Sequence, residues 1–247
     1  MTDLICHENS YIKEFDATVT EITESGIILN KTAFYPGGGG QPPDKGSIIF
    51  ENAEYPISGI QREGKNYIHK IDSQNIPING KVHGVIDWEY RYNLMRTHTA
   101  LHILCGVVWR DYKALVTGGD MKPLSARMDF ELDTLSSEFA KEVETSINKE
   151  IQNELDIEIE VLEREQAFKI PDLIRTKINL LPDSIKQIRT VNITGLDLQA
   201  DGGTHVNNTR EVGKIIVIGH ESKGKINKRL RIKVENWTTK YIWILKN

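Results

Sequence analysis

The sequence is poor in cysteine and contains no long apolar run. Its two cysteines, Cys6 and Cys105, lie far apart in the chain. So few thiols exclude a disulfide-stabilised scaffold and favour a reducing compartment. The apolar runs are far shorter than the ~20 residues that a membrane-spanning helix requires. Polar Asp3, His7 and Glu8 stand where a secretory signal would be apolar, so we predict a cytoplasmic protein.

Neither sign of charge is in large excess. The chain has 31 Lys and Arg residues against 35 Asp and Glu residues, which gives a net charge of −4. This balance excludes a protein that is basic throughout, so any nucleic-acid contact must use a local basic patch. With 39% hydrophobic and 27% charged residues among 247, the composition is that of a globular protein of one large or two modest domains. Heptads, internal repeats and low-complexity tracts are also missing.

The most informative segment that is present runs from Thr97 to Leu104, inside a helix predicted from Asp87 to about Asp111. His98 and His102 are four residues apart, so on a helix they share one face. The zinc motif H-E-x-x-H has the same spacing, but Thr99 replaces the glutamate base, which excludes that peptidase. Two histidines on a half-buried helix can also simply be packed and hydrogen-bonded. The pair alone leaves both interpretations open.

A second segment, Asp201-Gly202-Gly203-Thr204-His205, offers further metal ligands. Two glycines permit a tight turn that directs the following histidine inward. A carboxylate lies four residues before that histidine. Because tetrahedral zinc takes three or four protein groups, His98, His102, Asp201 and His205 form a candidate ligand set.

Residues 1 to about 88 are predicted to be rich in β-strands. Short alternating runs are separated by turn residues. About six such runs predict a small barrel or a sandwich. The predicted strands are Tyr11–Thr20, Gly26–Leu29, Gly46–Phe50, Tyr55–Ile57, Lys65–Ile71 and Gly80–Asp87.

Four consecutive glycines, residues 37–40, precede Gln41 within this region. They form either a flexible connector or a fixed loop that presents backbone N–H groups and Gln41 to a ligand. Aromatic residues before the glycines and prolines after them restrict the chain and favour the fixed loop. The loop is neither a Walker A motif nor a dinucleotide fingerprint, because the residues that should follow are absent.

The second half of the chain alternates strands and helices, which predicts an α+β fold with helices packed on a largely antiparallel sheet. A second helix is predicted from Thr134, a suitable N-cap, to about Glu154, and a short helical run from Glu163 to Phe168. We expect Thr117–Asp120 to begin the connection between the first two strands. The predicted strands are Ala114–Val116, Ser125–Leu132, Ile157–Leu162, Ile185–Ile193, Lys214–Gly219, Arg229–Val234 and Tyr241–Leu245.

As a set, these motifs resemble the editing domain of alanyl-tRNA synthetases. The resemblance is closer to the free-standing AlaX proteins of medium length, and it runs from about Phe34 to Val234. It implies an N-terminal small β-barrel domain with the glycine-rich loop at residues 1–88, and a zinc-containing aminoacyl-tRNA editing domain at residues 89–247. The set consists of the glycine-rich loop with Gln41, His98-x-x-x-His102, Thr117-Gly118-Gly119, Asp197-x-Gln199-x-Asp201-Gly202-Gly203-Thr204-His205-Val206 and Lys223-Gly224-Lys225.

The resemblance also implies a function. It predicts a trans-editing hydrolase that deacylates tRNA(Ala) mischarged chiefly with serine, and also with glycine, by zinc-assisted ester hydrolysis. One Zn²⁺ ion would be held by His98, His102 and His205. The reacting group would be a metal-bound water, and no side chain is assigned a catalytic role. The oligomeric state stays open.

The sequence departs from the usual family pattern at Asp201, where most members have a cysteine. Aspartate is a legitimate zinc ligand, so Asp201 either completes a His₃Asp site or lies behind the ligands as a hydrogen-bond acceptor. Cys105 shares the helix face of His98 and His102. It either leans toward the metal or packs as a small apolar side chain, and we favour packing.

Substrate and tRNA contacts are predicted at two places. A site that hydrogen-bonds the serine hydroxyl can reject alanine, because its buried polar groups are then left unpaired. The candidates are the backbone of Gly38, Gly39 and Gly40, the side chain of Gln41, and Thr99, although Thr99 could instead bond back to a helix carbonyl. The densest basic cluster, predicted to bind tRNA, is Lys223, Lys225, Lys228 and Arg229.

Two rival functions stay open at this point. A non-catalytic, zinc-stabilised tRNA-binding module would have a closed site of four protein ligands. A metallohydrolase for another small ester or amide would ignore the tRNA body. Aminoacylation is excluded, because no segment has the pattern of a nucleotide-binding aminoacylation domain.

Overall fold

The structure is a computed structural model that describes residues 1–72, 77–178, 181–183 and 185–237. The chain divides into two compact units, Met1–Leu94 and Met95–Asn247. The division falls within helix α1, which runs from Trp88 to Tyr112. The domain boundary predicted between residues 88 and 89 stays a prediction, and the strand predicted at 241–245 lies outside the described residues.

Unit 1 contains a closed barrel of six antiparallel strands, which confirms the barrel rather than the sandwich. The barrel order is β2-β3-β7-β6-β5-β8, and β1 pairs with β4 beside it. The strands are β1 Asp3–Leu4, β2 Glu14–Thr23, β3 Gly26–Leu29, β4 Lys31–Thr32, β5 Gly46–Phe50, β6 Ala53–Glu63, β7 Asn66–Ile71 and β8 Lys81–Ile86.

The barrel interior follows from alternation along the strands. On β2, Phe15, Ala17 and Val19 are buried while the residues between them are exposed, as period-2 geometry requires. The Phe15 ring lies over Gly84, where an added Cβ would come within 2.3 Å of it. Glycine at this position therefore lets the ring cross the neighbouring strand.

Unit 2 contains two antiparallel sheets, ordered β14-β15-β10-β9 and β11-β12-β13, which confirms the α+β prediction. Its elements after α1 are β9 Val116–Lys122, β10 Ser125–Glu131, α2 Ser137–Gln152, β11 Ile157–Glu163, α3 Arg164–Ala167, β12 Gln187–Ile193, β13 Asp197–Ala200, β14 Lys214–Ser222 and β15 Asn227–Glu235.

Helix α2 packs its apolar stripe on the first of these sheets. Its buried residues recur at three- and four-residue spacing: Ala140, Val143, Ile147 and Ile151. The side chain of Asn148 bonds both backbone groups of Ile215 on β14, at 2.7 and 3.0 Å. Ser136, and not the predicted Thr134, caps the helix, because its hydroxyl accepts from the N–H of Phe139 at 3.1 Å.

The connection predicted at Thr117–Asp120 is wrong. These residues belong to β9, where Gly118 and Gly119 pair with Asp129 and Met128 of β10. The turn lies instead at residues 123–124, where Leu124 has a φ of 59°. Two adjacent glycines are common in turns, but they also occur in strands, and here both lie in a paired strand.

Every residue of α1 from Leu94 to Val108 is buried, although several are polar. Asp87 begins the helix by accepting from the N–H of Tyr90 at 3.1 Å. A buried polar side chain needs a partner, so the many buried polar groups of α1 indicate a functional site on this helix. In the described part of the chain, no helix has the length and apolarity to cross a membrane.

Candidate metal centre

Four predicted ligands from distant parts of the sequence meet in unit 2. Their ligand atoms all lie within 4.8 Å of one another in the cluster His98, His102, Asp201 and His205. Helical spacing places the first two on one face of α1, with ring centroids 5.2 Å apart. The ring of His205 stacks on that of His98 at 4.4 Å and meets that of His102 edge-on at 4.8 Å.

The carboxylate of Asp201 is oriented by its own loop. Oδ2 accepts from the N–H of Gly203 at 2.6 Å and lies 3.1 Å from Nε2 of His205. Oδ1 is thereby turned toward the helix, 3.5 Å from Nε2 of His98 and 3.9 Å from Nε2 of His102. The carboxylate therefore lies among the three imidazoles.

Burial and mutual attraction set the protonation of the cluster. Burial lowers the pKa of His98 to about 4, and burial together with His98 holds the pKa of His205 well below its usual range. For His102 the effect of burial is outweighed by Asp197 and Asp201, which raise the pKa to about 9. Burial would raise the pKa of Asp201, but the histidines keep it well below the usual range. His98 and His205 are therefore neutral at pH 7, as metal ligation requires.

The distances fit a bound cation. Tetrahedral ligands at about 2.0–2.2 Å from an ion lie roughly 3.3–3.6 Å from one another. The separations of 3.1, 3.5 and 3.9 Å between Asp201 oxygens and imidazole nitrogens bracket that value. The donor set of three imidazole nitrogens and a carboxylate can thus hold a metal ion with small side-chain movements.

A second carboxylate lies directly behind the cluster. Asp197 Oδ2 is 2.9 Å from Nδ1 of His102 and accepts from Nε2 of Gln199 at 2.8 Å. Its other oxygen accepts from Nη1 of Arg175 at 2.5 Å. No role was predicted for Asp197, Gln199 or Arg175, although Asp197, Gln199 and Asp201 alternate as residues on one strand face should. Arg175, by contrast, lies in an irregular segment without a pattern that could have singled it out.

Thr99 and Cys105, two further residues of α1, are buried beside the cluster. Thr99 Oγ1 is 3.1 Å from Nδ1 of His205, so its hydroxyl contacts a ligand of the cluster rather than only its own helix. Cys105 Sγ lies 3.3 Å from Nε2 of Gln199. Burial raises the pKa of the thiol, and Asp197 adds to the effect, so it is neutral and not a nucleophile.

The glycine-rich loop, in unit 1, is a fixed hairpin. Gly38 and Gln41 exchange two backbone hydrogen bonds of 3.0 and 2.9 Å, and the Tyr35 hydroxyl donates to the carbonyl of Gly38. All four glycines at residues 37–40 have positive φ, between 57° and 137°, which other residues rarely adopt. Gln41 is only 2% exposed.

A buried ion pair anchors this loop. Asp44 accepts from the N–H of Tyr35 at 2.5 Å and from the guanidinium of Arg91. Arg91 also donates to the carbonyls of Ser10 at 2.9 Å and Ala33 at 2.5 Å. Three separate backbone segments are therefore joined through one fully buried arginine.

The predicted tRNA-binding residues divide into two kinds. Lys228 is 5% exposed, and its ammonium donates to Ser222 and to the carbonyls of Gly224 and Lys225. Arg229 pairs with Asp129 at 2.7 Å. Lys223 and Lys225 are exposed at the β14–β15 turn. The tRNA contacts stay a prediction, because Lys228 and Arg229 are engaged within the fold and Lys223 lies 3.8 Å from Glu221.

Comparisons with known proteins agree with these observations. The family described as "tRNA synthetases class II (A)" matches residues 6–90, and the one described as "Threonyl and Alanyl tRNA synthetase second additional domain" matches residues 188–231. The alanine–tRNA ligase of Pyrococcus furiosus is 34% identical over 224 residues, which are 89% of this chain and 24% of the ligase. The chain is thus similar to one part of a synthetase.

Two further relatives are similar over almost their whole length. The alanyl-tRNA editing protein AlaX-M of Saccharolobus solfataricus is 40% identical over 233 residues, covering 93% of this chain and 98% of that protein. The AlaX-M protein of Methanosarcina barkeri is 34% identical over 238 residues, which are 93% of this chain and 98% of that protein. The chain therefore belongs to the AlaX-M family of alanyl-tRNA editing proteins, which confirms the resemblance seen in its motifs.

Proposed function

We propose that the chain is a trans-editing hydrolase for mischarged tRNA(Ala), with serine as the main and glycine as the second amino acid removed. Water adds to the ester carbonyl, and the bond to the 3′-terminal ribose oxygen breaks. The products are the free amino acid and tRNA with a restored 3′ hydroxyl. The observation that carries the proposal is the convergence of four ligands in a chain that matches editing proteins along almost its whole length.

We propose Zn²⁺, one ion per chain, as the metal, because imidazole nitrogens with one carboxylate are a donor set that zinc takes. Zinc bound there would polarise an ester carbonyl or acidify a water. The chain itself supplies neutral His98 and His205 as donors and the negative charge of Asp201. Side-chain exposures of 0–12% keep bulk water away from most of the cluster.

Selection of serine is assigned to Gly38, Gly39, Gly40 and Gln41, with Thr99 as a second candidate. The preformed hairpin supports this assignment, since a fixed backbone can hold hydrogen-bonding groups where a small hydroxyl would complete them. For Thr99 the contact with His205 supports a role in holding that imidazole as well.

The tRNA backbone is assigned to the predicted basic cluster, with Lys223 and Lys225 as the direct contacts. Their exposure supports phosphate binding. We propose that Lys228 and Arg229 act by shaping the hairpin on which these lysines lie. Two buried free cysteines agree with the reducing cytoplasm, where translation takes place.

One observation favours a different function. Four protein ligands are the number that closes a structural zinc site. In a non-catalytic tRNA-binding module the same cluster would serve only to stabilise unit 2. Turnover separates the two functions.

The experiment measures hydrolysis of Ser-, Gly- and Ala-tRNA(Ala) by the purified full chain, before and after chelation and after Zn²⁺ is returned. We expect loss of serine and glycine with alanine spared, abolished by chelation and restored by zinc. His98→Ala should reduce the rate by roughly 100-fold or more. His220→Ala is the matched control, because His220 is an exposed histidine of the same unit. Zinc bound without hydrolysis of any substrate would favour the structural module.

A further inference from the structure

We infer that Asp197, immobilised by Arg175 and Gln199, is a positioning residue that directs Nε2 of His102 into the ligand cluster. The inference rests on the metal-binding part of the proposed function. It concerns side chains behind the cluster rather than the ligands themselves.

Asp197 and His102 are in direct contact. Nδ1 of His102 lies 2.9 Å from Oδ2 of Asp197. A carboxylate can only accept, so Nδ1 must carry the proton of this hydrogen bond. In the neutral ring the lone pair then resides on Nε2, the atom that faces Asp201 at 3.9 Å. The carboxylate thus selects both the tautomer and the orientation of the imidazole.

The side chain of Asp197 cannot easily turn away from His102. Its side chain is fully buried, and each of its oxygens is held by a different neighbour. Arg175 donates to Oδ1 at 2.5 Å, and Gln199 donates to Oδ2 at 2.8 Å beside His102. Both Asp197 and Gln199 lie on β13, which is paired with β12.

Arg175 is itself held in place for its contact with Asp197. Its carbonyl accepts from the N–H of Val116 at 2.8 Å, which ties its backbone to the start of β9. Its guanidinium lies 5.7 Å from the ring of Trp109 on α1. Nε of Arg175 has no hydrogen-bond partner among the residues that the structure describes. Asp197 is therefore the anionic partner that justifies a buried guanidinium here.

A comparison with His205 shows what Asp197 adds. The group at Nδ1 of His205 is the neutral hydroxyl of Thr99, at 3.1 Å. A hydroxyl can donate or accept, so it does not select one tautomer. A carboxylate selects one, and it strengthens the basicity of the imidazole that it contacts.

The test is metal affinity, with Zn²⁺ alone as the probe. Asp197→Asn should weaken Zn²⁺ binding by about 10- to 100-fold in competition with a chromogenic chelator. Arg175→Gln should weaken it less, because Asp197 remains. Bound Co²⁺ should show altered d–d absorption in Asp197→Asn. The matched control is Asp129→Asn, which removes a carboxylate paired with Arg229 in the same unit and should leave Zn²⁺ affinity within about twofold.

A measurement on the wild-type chain keeps the inference testable if the variants do not fold. Proton–nitrogen NMR of ¹⁵N-histidine in the Zn²⁺-loaded protein should place the proton of His102 on Nδ1. A proton on Nε2, or folded Asp197→Asn that binds Zn²⁺ like the wild type, would overturn the inference. Neither measurement uses tRNA. A chain that loses Zn²⁺ affinity in Asp197→Asn but hydrolyses no aminoacyl-tRNA would refute the proposed function and leave this inference standing.

Discussion

The two units each bury an arginine–aspartate pair, and the pairs serve different ends. In unit 1, Arg91 binds Asp44 and two backbone carbonyls, so the pair joins segments of the barrel and fixes the glycine-rich loop. In unit 2, Arg175 binds one oxygen of Asp197 and leaves the other for His102 and Gln199. An arginine–aspartate pair has only an architectural role where the two side chains bond to each other and to backbone groups. It becomes part of a site where one oxygen is kept for a ligand.

The largest effect is expected from breaking the pair in unit 1. Arg91→Met leaves Asp44 buried without its guanidinium, and burial already raises the pKa of that carboxyl in spite of Arg91. Removing one partner of a buried pair costs about 3–5 kcal/mol. Denaturant unfolding should show this loss in unit 1, with Zn²⁺ affinity little changed. A stability loss below about 1 kcal/mol would show that the pair is not architectural.

A buried histidine of unit 1 makes the stability of the chain depend on pH. His69, in β7, is neutral: burial lowers its pKa to about 4, and Nδ1 donates to the carbonyl of Ile27 while Nε2 accepts from Thr32. The unfolded chain takes up the proton at about pH 6.5, so stability is complete above that pH and falls as the pH drops toward 4. We expect a loss of about 2 kcal/mol at pH 5.

The control for His69 is a variant that cannot titrate. His69→Gln should be less stable than the wild type at pH 7, but its free energy of unfolding should fall less between pH 7 and pH 5. Equal pH dependence in both proteins would contradict a neutral His69.

Substitutions of glycine test whether the fixed backbone of the glycine-rich loop serves to select serine. Gly38 has a φ of 137°, and an added Cβ would meet only the Tyr35 hydroxyl at 3.5 Å, so strain is the dominant effect. Gly38→Ala should cost about 2 kcal/mol and reduce the preference for serine over alanine. Gly64→Ala, at φ 59° with no atom of the described residues within 4 Å of the added Cβ, should cost about 1 kcal/mol and leave the preference intact. If the two variants have equal selectivity for serine over alanine, the glycine-rich loop has no role in serine recognition.

The smallest effects are expected for the lysines of the β14–β15 hairpin, which differ in whether they bind tRNA or stabilise the hairpin. Lys225→Ala should weaken tRNA binding slightly and reduce the slope of log affinity against log salt by about 0.7–0.9, without changing stability. Lys228→Ala should instead lower the free energy of unfolding by about 1–2 kcal/mol, since it leaves the carbonyl of Lys225 without its donor and that of Gly224 with only the Ser222 hydroxyl. An unchanged salt slope in Lys225→Ala would exclude that phosphate contact.

The barrel and the two segments of the candidate metal cluster could be predicted from the sequence because the signal of each is local, whereas the family resemblance brought the two segments together. Helical spacing brings His98 and His102 together, and alternation marks the strands of unit 1. The pairing of Arg175 with Asp197 could not be predicted, because it joins an irregular segment to a strand 22 residues away. The error at Thr117–Asp120 has a related cause. Glycines permit a turn, but strand pairing with β10 decides that this segment is extended.

The most direct test of the account is a titration of the metal-free chain with Zn²⁺, followed by the rate of Ser-tRNA(Ala) hydrolysis. We predict that activity rises linearly and stops at one equivalent, because one cluster of His98, His102, Asp201 and His205 is available in the described chain. Hydrolysis at full rate without metal, or one equivalent bound with no hydrolysis, would contradict it.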